Sequence, residues 1–101
     1  MFHMLKRLFP GAVAPCDKMM NENALVVDVR SHGEFQTGHV PGSLNVPIDE
    51  IYEHVERLKE ENKPIVLCCA SGMRSARATR ILQGIGIDAC NGGSWKSINR
   101  Q

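Results

Sequence analysis

The chain has 101 residues, 43% hydrophobic and 23% charged, with a net charge of +1. That length makes one domain that buries roughly two-thirds of the unfolded chain's surface and needs no disulfide or metal staple. The composition is neither disordered nor membrane-spanning, and the near-neutral balance argues for neither nucleic acid nor an anionic membrane as partner.

Cysteines stand at 16, 68, 69 and 90 and histidines at 3, 32, 39 and 54. No C-x-x-C or other ligand spacing occurs, so neither zinc nor another metal site is expected. Two adjacent cysteines suit a reducing compartment better than a secreted disulfide framework. The opening residues, Met1 to Pro10, are too interrupted by charge and proline to form a signal peptide's apolar region, so a cytoplasmic protein is expected.

Residues 1–23 carry Pro10, Gly11, Pro15, Asn21 and Asn23 and are expected to form an irregular or partly helical lead-in, with Cys16 a packed or exposed thiol. The domain proper is placed at 24–101. Ala24 to Val29 is almost wholly apolar, as in a strand buried on both faces. At its carboxyl end Asp28 and Arg30 point to one side, either as an ion pair holding the next loop or as flanks of a site. Ser31 suits an N-cap for a short helix over 32–36, with Glu34 at the capping-box position. Pro41-Gly42 predicts a turn, Ser43 to Val46 a short strand stopped by Pro47, and His39 a hydrogen-bond donor that fixes the loop. Ile48, Ile51, Val55 and Leu58 recur at helical spacing through 48–59, which predicts a solvated amphipathic crossover helix.

Ile65 to Cys68 is again a short β-branched run, followed by Cys69-Ala70-Ser71-Gly72-Met73-Arg74-Ser75 and then a helical stripe through Gln83, with Gly84 placed to end it. Cys69 therefore sits where a strand turns into a helix. Unpaired N–H groups and the helix dipole favour an anion there, and Arg74 adds positive charge, so a thiolate of lowered pKa is expected. The thiolate is the nucleophile. Ala70, Ser71 and Gly72 are small enough to let the backbone curl around the sulfur, whereas Cys68 is read as a small buried hydrophobe. The periodicity predicts a last strand over 85–91 containing Cys90, a turn at Gly92-Gly93-Ser94, and Trp95 packed against the sheet edge. The alternation of strands and helices makes the fold α/β, a small mostly parallel sheet flanked by helices on both faces.

The residues Asp28-Val29-Arg30 with Glu34-Phe35, Gly38-His39-Val40-Pro41-Gly42-Ser43-Leu44-Asn45-Val46-Pro47, the C-x-x-G-x-R loop Cys69 to Arg74 with Ser75, and Gly92-Gly93 with Trp95 together resemble the single-domain rhodanese family of sulfurtransferases over residues 24–98. The resemblance implies sulfur transfer from thiosulfate or a thiol persulfide, through a Cys69 persulfide, to cyanide or a thiol. It implies substrate contacts from Ala70, Ser71, Gly72, Met73, Arg74 and Ser75, with Asp28 and Arg30 supporting the loop. No cofactor or metal is implied. The partners are a small donor and acceptor, or a thiol-bearing protein acceptor. The rival enzyme is a cysteine phosphatase or arsenate reductase, but four residues separate Cys69 from Arg74, one fewer than in the related phosphatases. A third reading is a sulfur-relay or binding module for a protein partner. The loop has one basic residue, Arg74, where some thiosulfate-specialised relatives of the family it resembles have more, which leaves a thiol persulfide open as the natural donor in place of thiosulfate.

Overall fold

The computed structural model describes residues 14–98. Helix α1 (Ala14–Asn21) leads into β1 (Leu25–Asp28), followed by α2 (His32–Gln36), β2 (Leu44–Asn45), a 3-10 helix (Ile48–His54), α3 (Val55–Glu61), β3 (Ile65–Cys69), α4 (Met73–Gly84), β4 (Ala89–Ser94) and a last 3-10 turn (Trp95–Ser97). The sheet order is β2-β1-β3-β4 with every pairing parallel. Parallel strands covered on both faces explain why β1 and β3 are continuous apolar runs with no alternation.

Successive strand residues alternate between two cores. Val27, Ile65, Leu67, Cys69 and Ala89 meet Val55 and Leu58 of α3 and Ala78 and Leu82 of α4 on one face. Val26 and Cys68 meet Met20 of α1, Val40, Trp95 and Ile98 on the other. Helices thus cover both faces, as the sequence pattern demands. Because β1 connects outward to β2 and the chain then returns to β3, the neighbouring carboxyl ends of β1 and β3 form the switch point at which open α/β sheets place their sites.

Several boundaries differ from the sequence expectation, each for a local reason. The described part of the lead-in, residues 14–21, is helical, within the expected irregular or partly helical form; residues 1–13 lie outside the described part. The predicted helix over 48–59 begins as 3-10, in which Ile48 and Ile51, three apart, fall on one line, and becomes α-helical from Val55 until Asn62 caps it in the left-handed conformation (φ 51°). Gly84 is the last residue of α4, as expected, but it does not supply the left-handed cap. Gly86 does, at φ +91°, with its N–H on Gln83 O (3.0 Å) and the Ile87 N–H on Leu82 O (3.0 Å), the paired bonds of a Schellman cap. That cap delays the last strand to 89–94, so Gly92-Gly93-Ser94 are strand residues and not a turn. The β3–β4 register shifts between Leu67 and Cys68, which pair with Asn91 and Gly93, leaving Gly92 as the extra residue of a bulge. A Cβ on Gly92 would lie 2.8 Å from the Val66 side chain, so only glycine fits.

Cys16 and Cys90, expected as separate thiols, are joined in a disulfide with Cα atoms 5.6 Å apart. Residue 90 faces the same side of the sheet as its partner Val66, and α1 packs over that side, which brings the two sulfurs together. Cys68 and Cys69 remain free.

Candidate active site

The carboxyl end of β3 delivers Cys69 to the first turn of α4. Gly72, the residue before that helix, has φ +103°, a left-handed conformation that costs other residues energy. This turn bends the backbone around the sulfur: the Gly72 N–H donates to Cys69 Sγ at 3.0 Å, the Ser75 N–H lies at 3.4 Å, and the Ser75 hydroxyl also lies at 3.4 Å. Cys69 has no exposed surface. Burial pushes the thiol up, but the hydrogen bonds from the Ser75 hydroxyl and from the Ser75, Gly72 and Ser71 amides outweigh it, so the net shift is below the ordinary 9.0. From Ala70 to Ser75, Ser71, Gly72 and Ser75 are thus the residues whose donors are aimed at the sulfur. Ala70, Ser71 and Met73 have exposed side chains around the mouth. Cys68 is the opposite case, with burial first and the Asp28 charge second pushing it up to about 12.

Arg74 behaves differently from the sequence expectation. Its guanidinium is forked onto Glu34 of α2, with Nη1 donating to Oε1 at 2.8 Å and Nη2 to Oε2 at 3.0 Å, so its charge is shared with a carboxylate before any anion arrives. Glu34 also closes the expected capping box, accepting the Ser31 N–H at 2.9 Å. The Arg74 fork, followed by the Ser31 N–H, holds Glu34 down to about 2 from the usual 4.5. Since folding lowers this pKa, the pair's stabilisation is fully present above about 4.5 and disappears as pH falls towards 2. The pair is more than one-third exposed, so it contributes less than about 1 kcal/mol. We expect Glu34→Gln to remove most of that acid-side dependence while changing urea stability at pH 7 only slightly, as measured by denaturation series between pH 2 and 7.

Asp28 and Arg30 form a buried ion pair with Arg30 Nη2 2.7 Å from Asp28 Oδ2, and Arg30 Nε reaches both carboxylate oxygens at 3.0 Å. Arg30 also donates to Gly38 O at 2.7 Å and Glu34 O at 3.3 Å and lies 4.5 Å over the Trp95 ring. These contacts lie on the sheet face away from the Cys69 sulfur. The pair therefore reaches the loop indirectly, by fixing residues 31–38 and with them the Glu34 carboxylate that holds Arg74. His39 Nδ1 sits 2.8 Å from Phe35 O, so that nitrogen carries the proton and fastens the same segment, as its loop position suggests.

One residue that sequence reasoning missed enters the site from β4. Asn91 Oδ1 accepts from the Ser75 hydroxyl at 2.7 Å and from the Gly93 N–H at 3.0 Å, and its Nδ2 donates to Gly72 O at 3.2 Å. The one available signal was an asparagine inside a strand, where that residue type is depleted. Among the described residues no group of three or more His, Cys, Asp and Glu side chains could hold a metal ion, and no helix is long and apolar enough to cross a membrane.

Comparison with known proteins gives the arrangement a family. The rhodanese-like domain model matches residues 13–98. The chain is 34% identical over 64 residues to a tRNA uridine(34) hydroxylase of Buchnera aphidicola, covering 58% of this chain and 20% of that protein. The first curated relatives are matched over only 19% to 47% of their own length. Among solved structures, a rhodanese with anions from E. coli superposes with a TM-score of 0.70 at 29% identity, covering 77% of this chain and 94% of that one. A human single-domain sulfurtransferase gives a TM-score of 0.65 at 26% identity, covering 81% and 87%. With the domain model covering the whole described chain and the strand-to-helix thiol in its loop, this protein belongs to the rhodanese-like domain family and is related to sulfurtransferases.

Proposed function

We propose that the protein is a sulfurtransferase in which Cys69 carries the sulfur as a persulfide. The Cys69 thiolate attacks the sulfane sulfur of thiosulfate or of a thiol persulfide; the donor's S–S bond breaks and sulfite or a thiolate leaves with the bonding pair. The acceptor, cyanide or another thiol, then attacks the outer sulfur and Cys69 leaves as thiolate. The observation that carries this reading is the focus of the Gly72 and Ser75 donors on Cys69 Sγ, which favours the anion at the start and end of the cycle. Because Cys69 is covered, a donor reaches it by displacing the exposed loop residues Ala70, Ser71 and Met73.

Arg74 enters as the anchor of the loop through Glu34, and the donor's negative charge falls mainly to the loop amides. This supports a thiol persulfide over thiosulfate as natural donor. No metal or organic cofactor is invoked, and the partners are a small donor and acceptor or a thiol-bearing protein, with no nucleic acid or membrane. The hydroxylase likeness covers a fifth of that relative, so its activity is not carried over. A cytoplasmic location is part of the proposal, and there the Cys16–Cys90 bond is reducible by the thiol pool.

Intact mass after incubation with thiosulfate, and separately with a small-molecule persulfide, is expected to show one added sulfur of about 32 Da; Cys69→Ala abolishes it and Cys68→Ala keeps it, as follows from a thiolate being required. Phosphate-ester hydrolysis without any sulfur adduct would overturn the assignment in favour of a phosphatase. Weak turnover with small acceptors but fast transfer to a protein thiol identifies a relay.

A further inference from the structure

The Ser75 hydroxyl has one proton and three acceptors within reach: Asn91 Oδ1 at 2.7 Å, Gly72 O at 3.2 Å and Cys69 Sγ at 3.4 Å. Gly72 O already accepts from the Ala76 N–H at 3.0 Å and from Asn91 Nδ2 at 3.2 Å, which uses both of its lone pairs. The amide of Asn91 has one orientation, because the Gly93 N–H requires an oxygen facing it and Gly72 O requires a donor. Its oxygen therefore faces Ser75, and at 2.7 Å it holds the hydroxyl proton. In that arrangement Ser75 Oγ turns a lone pair towards the sulfur and can accept from a Cys69 thiol, but it does not donate to a thiolate.

We propose that Asn91 is a positioning residue for Cys69, parking the Ser75 proton while the sulfur is neutral and releasing it when the sulfur becomes anionic. This rests on the sulfur-transfer reading and deepens it. When Cys69 loses its proton to solvent, the hydroxyl swings from Asn91 Oδ1 to Sγ. When a persulfide forms, the charge moves to the outer sulfur and the proton returns to Asn91. When the acceptor takes the outer sulfur, the proton meets Sγ again as it departs with the bonding pair. Ser75 thus stabilises the sulfur in the states that carry charge on Sγ, at the expense of the bond to Asn91, so Asn91 sets how readily the thiolate appears.

The charged and titratable groups around the sulfur are Arg74 with Glu34, the Asp28–Arg30 pair and Cys68, and changing Asn91 alters none of them. On β4, Cys90 is tied in the disulfide. The test is the pH midpoint of Cys69 alkylation by iodoacetamide, assigned by mass, on the oxidised full chain with no sulfur donor present. Asn91→Ala frees the Ser75 proton for the sulfur, and the midpoint is expected to fall by about half a pH unit, or about three-fold more thiolate on the acid limb. In a Ser75→Ala background the same substitution is expected to leave the midpoint in place. A rise, no change, or an equal fall in both backgrounds overturns the proposal. Should circular dichroism show Asn91→Ala unfolded, the isosteric Asn91→Asp carries the test: the midpoint must rise by more with Ser75 present than with Ser75→Ala, and equal rises overturn it. Since no sulfur is transferred in these titrations, their outcome is separate from the persulfide mass experiment.

Discussion

Arg30→Ala is expected to cost about 3–5 kcal/mol of stability, the usual cost of leaving one member of a buried ion pair alone. Asp28 is fully buried and Arg30 nearly so, 0% and 3% exposed. Removing the guanidinium leaves the carboxylate with a single donor from this residue, the Arg30 N–H at 2.9 Å, and deprives Gly38 O and Glu34 O of theirs. It also opens the space under Trp95. Urea denaturation of Arg30→Ala, Asp28→Ala and the double variant measures this, and the double variant is expected to cost far less than the two single costs added together, because each single change strands the other charge. A sum that is simply additive would show that the two side chains stabilise independently. Sulfur transfer should fall along with stability in Arg30→Ala but recover in part at low temperature, since the pair touches the active loop only through residues 31–38.

How much of this was readable beforehand follows the range over which each interaction acts. The apolar runs of β1 and β3, the strand-to-helix position of Cys69 and the Ser31–Glu34 capping box are encoded within a few residues, and each stands in the structure where local chemistry puts it. The last strand was misplaced because two glycines in sequence signal a turn, whereas here one ends up as a bulge pressed against Val66 and the cap that stops α4 sits two residues beyond the expected glycine. Contacts across the chain carried no local signal. The Glu34–Arg74 fork spans 40 residues and the Ser75–Asn91 bond 16, and the Cys16–Cys90 bond spans 74; composition and spacing do not encode which partners meet. Cys16 in particular looked inert because nothing near it in sequence activates a thiol, while its partner arrives from the opposite end of the domain.

Gly72→Ala tests whether the ring of donors or merely the presence of a thiol makes the site reactive. At φ +103° alanine is strained, and its Cβ would come within 3.3 Å of the Gly93 backbone, which belongs to the bulged strand and cannot swing aside as a side-chain tip would. The turn must therefore open, and the N–H that now lies 3.0 Å from Sγ moves with it. Loss of one preorganised donor to a developing anion, or a displacement on the order of 1 Å, costs about 100-fold in rate, so sulfur transfer by Gly72→Ala is expected to drop by roughly that factor. The Cys69 alkylation midpoint should rise at the same time, because a hydrogen bond to the thiolate has been removed while the burial that disfavours it remains. Unaltered transfer and an unaltered midpoint in a folded Gly72→Ala protein would show that the amide ring does not govern the sulfur. A lower rate with an unchanged midpoint would instead place the damage at donor access, in the exposed lip formed by Ala70, Ser71 and Met73. Measuring both quantities on one preparation separates the two causes, since the midpoint alone reports the charge state of Cys69 before substrate is added.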